Sequence, residues 1–185
     1  MAAHEIKPDK AGSPFWRFSL HFYARPGVAD ACLALQDRCG ADVNLLLFLL
    51  WMSLSRRLFS VDAVMALDDR IRDWRETVVV PLRAMRRTLK QRPALADAAE
   101  PFRTHVKVLE LEAERLQQEA MAASAGSAAD GIAESAGDAA RQSIAAYQSV
   151  SSRDFPPDLV AILFDALQDV DAGAFADNTV RRPPR

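Results

Sequence analysis

The fold of this chain follows most directly from residues 69–91, which read DRIRDWRETVVVPLRAMRRTLKQ. At about 100° per residue, one narrow face of a helix over this stretch is apolar. That face carries Ile71, Trp74, Val78, Leu82, Met85 and Leu89. The adjoining flank is basic and is formed by Arg72, Arg75, Arg83, Arg86, Arg87 and Lys90. The pattern predicts a helix that buries its apolar face, including Trp74, against a neighbouring helix and turns its basic flank to solvent or to an anionic partner.

The positions of Pro, Gly and small polar residues predict where the other helices begin and end. Ser13-Pro14 and Asp42 are helix starts, Gly40 is a helix end, and Ser60 caps the long helix that contains Pro81, where we expect a kink. The predicted helices are 14–24, 28–39, 43–57, 61–91, 102–120, 141–150 and 158–170, with a short helix at 94–100 left open. In the helix at 102–120 the apolar spacing predicts a second buried seam, formed by Phe102, Val106, Leu109, Ala113 and Leu116.

The organisation of the chain follows from changes in composition. Residues 121–140 are mostly Ala, Ser and Gly, and Ile132 is the one large apolar side chain after Met121. Such a segment gains little from burial, so it is predicted to be a mobile low-complexity linker. The predicted parts are a disordered N-terminus at 1–12, a helical core at 13–120, the linker at 121–140, C-terminal helices packing on the core at 141–170, and a tail at 171–185. No strand alternation persists, so the fold class is all-α, a single bundle of about five to seven helices with a flexible linker.

Composition and charge exclude several classes of function. The chain has 185 residues, of which 50% are hydrophobic and 26% charged, and its formal net charge is −2. This is ordinary globular composition, and a nearly neutral chain is not a generic polyanion binder. We therefore expect an acidic protein partner rather than nucleic acid, with the basic flank as the contact, while contact with an anionic membrane surface stays open.

Cysteine and histidine usage gives no sign of a disulfide or a metal site. Cys32 and Cys39 fall on one predicted helix, and a rise of about 1.5 Å per residue sets their Cα atoms roughly 10 Å apart, too far for a disulfide. They are expected to be small core side chains in a reducing compartment. The histidines are scattered at His4, His21 and His105, so no metal or other cofactor is predicted.

Targeting signals and membrane spans are not predicted either. The first ten residues are polar with mixed charge and contain no apolar signal core. The most apolar run, residues 45–52, is far shorter than the roughly 20 residues that a bilayer span needs. It predicts a buried helix, and the expected location is cytoplasmic.

Two polar clusters invite an alternative function. Asp68, Asp69 and Asp73 resemble part of the aspartate-rich helix of isoprenoid synthases, but interleaved arginines favour a salt-bridged helical turn instead. Asp42 and Asn44 lie at the start of the most apolar helix, where helix capping explains them. They would also suit the polar corner of a ligand pocket whose aromatic walls are Trp16, Phe18, Phe48 and Trp51.

Several motifs taken together resemble a known family. They are Phe15-Trp16-Arg17-Phe18-Ser19-Leu20, Gly27-Val28, Ala31-Cys32-Leu33 with Leu35-Gln36, residues 40–46 (GADVNLL), Trp74-Arg75, Pro81-Leu82-Arg83 and Arg86-Arg87. Over residues 14–120 the chain resembles a short, uncharacterised proteobacterial family classed as a domain of unknown function. The resemblance implies a bacterial origin, and it brings no activity, cofactor or catalytic residue with it.

The leading functional hypothesis is therefore an adaptor or assembly factor that acts by protein–protein interaction. Its contact face would be Arg72, Arg75, Arg83, Arg86, Arg87 and Lys90. No catalytic residue is predicted, because no nucleophile and base pair and no glycine-rich phosphate loop can be assembled from local motifs. The alternative is a bundle that binds a lipid-like or quinone-like molecule in a pocket formed by Trp16, Phe18, Asp42, Asn44, Phe48 and Trp51.

Overall fold

The chain folds as an all-α helical bundle, as predicted. A computed structural model describes residues 12–91 and 96–170. The tail predicted at 171–185 and all of the predicted disordered N-terminus except Gly12 lie outside these ranges. The helices are α1 Pro14–Tyr23, α2 Val28–Cys39, α3 Val43–Ser53, α4 Val61–Trp74, α5 Val80–Lys90, α6 Ala96–Ala123, α7 Ala125–Ala128, α8 Ala136–Ser151 and α9 Pro157–Gln168, with a π-helical turn at Arg75–Val79 between α4 and α5.

The predicted helix boundaries in the first half of the chain rest on observed caps. The Ser13 hydroxyl accepts a hydrogen bond from the Trp16 amide at 3.1 Å, which starts α1. The Asp42 carboxylate accepts from the amides of Asn44 and Leu45 and starts α3. Gly40 ends α2 with φ +69°, a left-handed conformation that glycine adopts without steric cost.

The centre of the bundle is α3, which is buried from Asn44 to Ser53. The aromatic residues of α1 pack on it, with the ring of Phe15 lying 5.2 Å from those of both Phe48 and Trp51. Helix α8 packs against α3 and α4, and α9 packs against α2. The predicted helix at 43–57 ends early, because the chain turns after Ser53 and forms a short strand, β1 Arg57–Leu58.

The long basic helix is interrupted before Pro81 rather than kinked at it. Residues Arg75–Val79 form the π-helical turn, in which the Val80 amide donates to the carbonyl of Arg75. Pro81 has no amide hydrogen, and its ring would clash with the carbonyl four residues earlier in a regular α-helix. The wider π turn removes that clash and restarts the helix as α5 with Pro81 in its first turn.

Helix α6 begins before Pro101 instead of at it. The helix runs unbroken from Ala96 to Ala123 and contains Pro101. A proline so near the start of a long helix disturbs little of the hydrogen-bond ladder that follows it. The short helix left open at 94–100 and the helix predicted at 102–120 are therefore one element.

The predicted linker at 121–140 is folded onto the bundle. Met121 is fully buried, and α7 and a second strand, β2 Gly131–Ile132, follow it. Strand β2 pairs antiparallel with β1, which corrects the expectation of no strand. Composition gave no signal for this strand, because backbone hydrogen bonding between β1 and β2 does not require large apolar side chains.

Candidate functional site

The basic flank predicted as a contact face is mostly occupied by ion pairs within the chain. Arg83 contacts Glu110 at 3.2 Å and Glu114 at 2.6 Å, and Arg86 contacts Glu110 through two hydrogen bonds. These pairs join α5 to α6. Because Glu110 is buried, its charge is compensated by the two guanidinium groups rather than by water.

A second ion-pair network joins the π-helical turn to α3 and α4. Arg75 contacts Asp42 at 3.2 Å and Asp68 at 2.5 Å, and Arg72 contacts Asp68 at 2.7 Å. Burial works to raise the pKa of Asp68, but its hydrogen bonds to the two arginines outweigh burial and hold the pKa below its ordinary value. The aspartate-rich segment therefore forms a salt-bridged turn, as the interleaved arginines indicated.

Tyr147 and Gln117 extend the second network from two further helices. The Tyr147 hydroxyl accepts from the Asp42 amide at 2.7 Å, and Gln117 donates to the Asp42 carboxylate at 2.8 Å. Burial raises the pKa of Tyr147 above its ordinary range. Asp42 therefore contacts three segments of the fold, the π-helical turn, α6 and α8, in addition to capping α3. Sequence spacing gave no signal for Gln117 or Tyr147.

Three members of the predicted face are exposed: Arg72, Arg87 and Lys90. Arg87 and Asp37 form a 2.8 Å ion pair in which both side chains are about half exposed, and Lys90 is exposed. An exposed pair of this kind contributes little to stability because solvent screens it. Arg72 is paired with Asp68 and Asp69 of its own helix. Of the six predicted residues, Arg87 and Lys90 at the end of α5 are thus available to an acidic partner, whereas Arg75, Arg83 and Arg86 hold the bundle together.

Helix α6 is oriented opposite to the expectation from its apolar spacing. Val106 and Ala113 are buried, but the large members of the predicted seam are exposed: Phe102 by 55%, Leu109 by 51% and Leu116 by 44%. The side chains buried instead include Glu110, Gln117 and Gln118. These side chains form hydrogen bonds and ion pairs with Arg83, Arg86, Asp42 and Asn44. The bonds offset the free-energy cost of burying a polar face.

Trp74 is not buried in the seam, which corrects a prediction. Its side chain is 38% exposed, and its indole Nε1 donates to the carbonyl of Ala113 in α6 at 3.0 Å. Ala113 lies one turn from both Leu109 and Leu116 on α6. Phe102, Leu109 and Leu116 recur every seven residues and therefore form an exposed apolar line on α6, and two further exposed apolar side chains lie on the segment that packs against α6. We call this set the hairpin strip, after the hairpin of α5 and α6, and its members are Trp74, Met85, Phe102, Leu109 and Leu116.

The predicted aromatic pocket is not formed by the side chains proposed for it. Phe18, Phe48 and Trp51 pack within the core and line neither of the two cavities described next. Trp16 and Asn44 do line a cavity, one of about 600 Å³ between α1, α2, α3, α5 and α6. Its apolar walls include Leu20, Leu33 and Leu111. We call it the α1–α6 cavity.

Asp42 lies in the wall of a separate, polar cavity of about 500 Å³. This cavity also exposes parts of Asp68, Arg72, Arg75 and Gln117. The two cavities have Gln36, Asn44 and Arg83 in common, so they adjoin. Within residues 12–91 and 96–170, no group of three or more His, Cys, Asp or Glu side chains is arranged to hold a metal ion.

Comparisons with known proteins place the chain in a family without assigning it an activity. The sequence pattern of the family described as "Protein of unknown function (DUF2390)" matches residues 14–121, more than half of the chain, and the protein belongs to this family. Neither the curated proteins nor the solved structures contain a match to the chain. In the part of the chain that the structure describes, no helix has the length and apolar character needed to cross a bilayer.

Proposed function

We propose that this DUF2390 protein is an adaptor or assembly factor that binds another protein through the hairpin strip. The observation that carries the proposal is the exposure of Phe102, Leu109 and Leu116 on one face of α6. Large apolar side chains that lie together on a surface are uncommon on monomeric proteins. Where they occur, they often mark an interaction site. The basic flank, which the sequence suggested as the contact, contributes the rigid support for this face.

The spacing of the strip indicates the kind of partner. Phe102, Leu109 and Leu116 are seven residues apart, so they lie nearly in line over about 21 Å of helix. A line of this length fits the apolar face of an amphipathic helix, which would insert its own side chains between them. The exposed Arg87 and Lys90 at the end of α5 favour acidic residues at one end of that partner helix.

The hairpin is suited to this role because its two helices are held by charges. Helix α5 has no buried residue, although its apolar face is well formed. Its attachment to α6 depends on the ion pairs of Arg83 and Arg86 with Glu110 and Glu114. The apolar side chains of the hairpin strip therefore remain at the surface instead of being buried inside the bundle.

The test is affinity capture from a proteobacterial host, the source that the family resemblance suggests, with matched variants. Leu109→Asp places a charge in the centre of the strip, and Ile132→Asp places the same charge on an exposed apolar residue of β2 outside it. We expect a protein retained by the wild-type chain and by Ile132→Asp to be lost with Leu109→Asp. Both variants should melt within a few degrees of the wild type, because both side chains are already more than half exposed.

Retention of the same proteins by Leu109→Asp and the wild type would contradict the proposal. Sedimentation of the purified chain separates a foreign partner from a second copy. A dimer that Leu109→Asp dissociates would replace the adaptor proposal with self-association through the same face.

A further inference from the structure

We propose that the α1–α6 cavity binds a single-chain amphipathic carboxylate that carries a hydrogen-bonding group at the far end of its apolar chain. This inference is independent of the proposed hairpin contact. It rests on the shape of the cavity, on its unequal charge and on buried polar atoms in its wall. A volume of about 600 Å³ falls in the range of small-molecule sites in proteins.

One face of α6 lines the cavity. Lys107, Leu111, Glu114 and Gln118 recur at helical spacing and all lie in its wall. Lys107 is exposed at one end and Gln118 is buried at the other. Eleven residues separate them, so the two ends lie about 16 Å apart along the helix axis.

The middle of the cavity is apolar. Leu20 on α1 and Leu33 on α2 are 43% and 44% exposed, and Leu111 faces them from α6. An alkyl chain bound in this concave site would remove the exposed leucine surface from water, which is favourable. A chain of about twelve atoms spans the roughly 16 Å between the two ends at roughly 1.3 Å per atom.

The mouth of the cavity is positively charged. The wall contains four cationic side chains, Arg83, Arg86, Arg87 and Lys107, against two carboxylates, Glu110 and Glu114. Burial raises the pKa of Glu114 above its ordinary value, against the opposing effect of its ion pair with Arg83. Lys107 at the exposed end is therefore placed to attract the carboxylate of an anionic ligand.

The inner end carries polar atoms that lack partners among the described residues. Trp16 Nε1, Ser19 Oγ and Gln118 Oε1 are all buried, and their three residues line the cavity. The Gln118 Nε2 group donates to Oδ1 of Asn44 at 2.7 Å, and Oε1 of Gln118 has no hydrogen-bond partner in the described part of the chain. Buried polar atoms without partners are rare, because each costs free energy that a hydrogen bond recovers.

These atoms define what the far end of the ligand must offer. Trp16 needs an acceptor, Gln118 needs a donor, and Ser19 can serve as either. Because the three atoms are shielded from solvent in this structure, ligand binding requires the side chains of Trp16, Ser19 and Gln118 to rotate toward the cavity. A hydroxyl, an amide or a sulfonamide on the ligand satisfies them.

The experiment is a fluorescence titration with dansylaminoundecanoic acid. This probe has a carboxylate at one end, an alkyl chain of fitting length, and a sulfonamide next to the dansyl ring. We expect saturable binding of one probe per chain, with blue-shifted dansyl emission. The methyl ester of the probe, which lacks the charge, should bind several-fold more weakly, and its binding should not respond to charge changes at the mouth.

Three variants locate the probe. Lys107→Met should weaken binding about threefold, whereas the matched Lys90→Met, a lysine outside the cavity, should leave it unchanged. Gln118→Leu should weaken binding about tenfold through the lost acceptor, provided that its melting temperature shows it folded. Because Lys107 is exposed, Lys107→Met tests the site even if Gln118→Leu does not fold.

Three results would overturn the inference. One is the absence of saturable binding by the wild-type chain. Another is equal affinity of Lys107→Met and Lys90→Met for the probe. The third is loss of binding in Leu109→Asp, which would mean that the dansyl group sits on the hairpin strip.

Discussion

Arg75 contacts the carboxylate of Asp42 at 3.2 Å and thereby joins the π-helical turn to the cap of α3. The same guanidinium also contacts Asp68 in α4. One cation thus serves two buried carboxylates that come from different parts of the sequence. Removing it would leave both without their main compensating charge.

The first prediction concerns this cation. Arg75→Gln should lower the free energy of unfolding by about 3 kcal/mol, the usual cost of leaving a buried carboxylate without its partner. Arg72→Gln, in which the side chain removed is about half exposed, should cost less than about 1 kcal/mol. Urea unfolding of both variants measures the difference. Equal losses would show that Arg75 is not the organising charge.

The second prediction concerns the acid sensitivity of the fold. The pKa of Asp68 is lowered in the folded chain relative to about 3.9 when unfolded. A lowered folded pKa gives stability that is present above the unfolded value and is lost as pH falls through the folded one. Asp68→Asn should therefore be less stable than the wild type at pH 7, and the gap should narrow below about pH 4.

Urea midpoints between pH 7 and pH 3 measure that gap. Asp165→Asn, a change on the exposed face of α9, provides the control and should show little difference from the wild type at pH 7. A gap between Asp68→Asn and the wild type that stays constant over the whole range would mean that the arginines do not set the ionisation of Asp68.

The third prediction tests the packing of residues 121–140. Met121 is fully buried, so Met121→Ala should cost about 2–5 kcal/mol through lost contacts and a residual cavity. Met65 on α4 is 47% exposed, and Met65→Ala should cost well under 1 kcal/mol. Thermal unfolding compares the two. A small effect at Met121 would restore the mobile linker that composition alone suggested.

Much of the fold was predictable because local signals are strong where helices start and stop. Ser13, Gly40, Asp42 and Ser60 all occupy the capping positions that their chemistry favours. The uninterrupted apolar run in α3 correctly indicated the most buried helix. These features depend on residues a few positions apart, which is the range that sequence patterns report.

The orientation of α6 could not be read from its own sequence. Its apolar spacing predicted a buried seam, yet Glu110 is buried and Leu109 is exposed. The deciding contacts come from Arg83 and Arg86, about 25 residues earlier in the chain. Periodicity identifies an apolar face but does not say which of two faces finds partners.

The candidate sites were predictable only in part, for the same reason. Trp16 and Asn44, two of the residues predicted for a pocket, line the α1–α6 cavity, but Ser19 and Gln118 carry no local signal and enter the cavity wall through tertiary packing. The arginine flank was identified as a unit, yet its pairing with Glu110, Glu114, Asp42 and Asp68 depends on helices that meet only in the folded chain.

The central claim, that a partner protein binds the hairpin strip, is tested most directly by photocrosslinking in a proteobacterial host. A benzophenone amino acid at position 109, within the strip, is compared with the same residue at position 132, outside it. We expect an adduct with a second protein from position 109 and none from position 132. No adduct at position 109, or the same adduct from both positions, would contradict it.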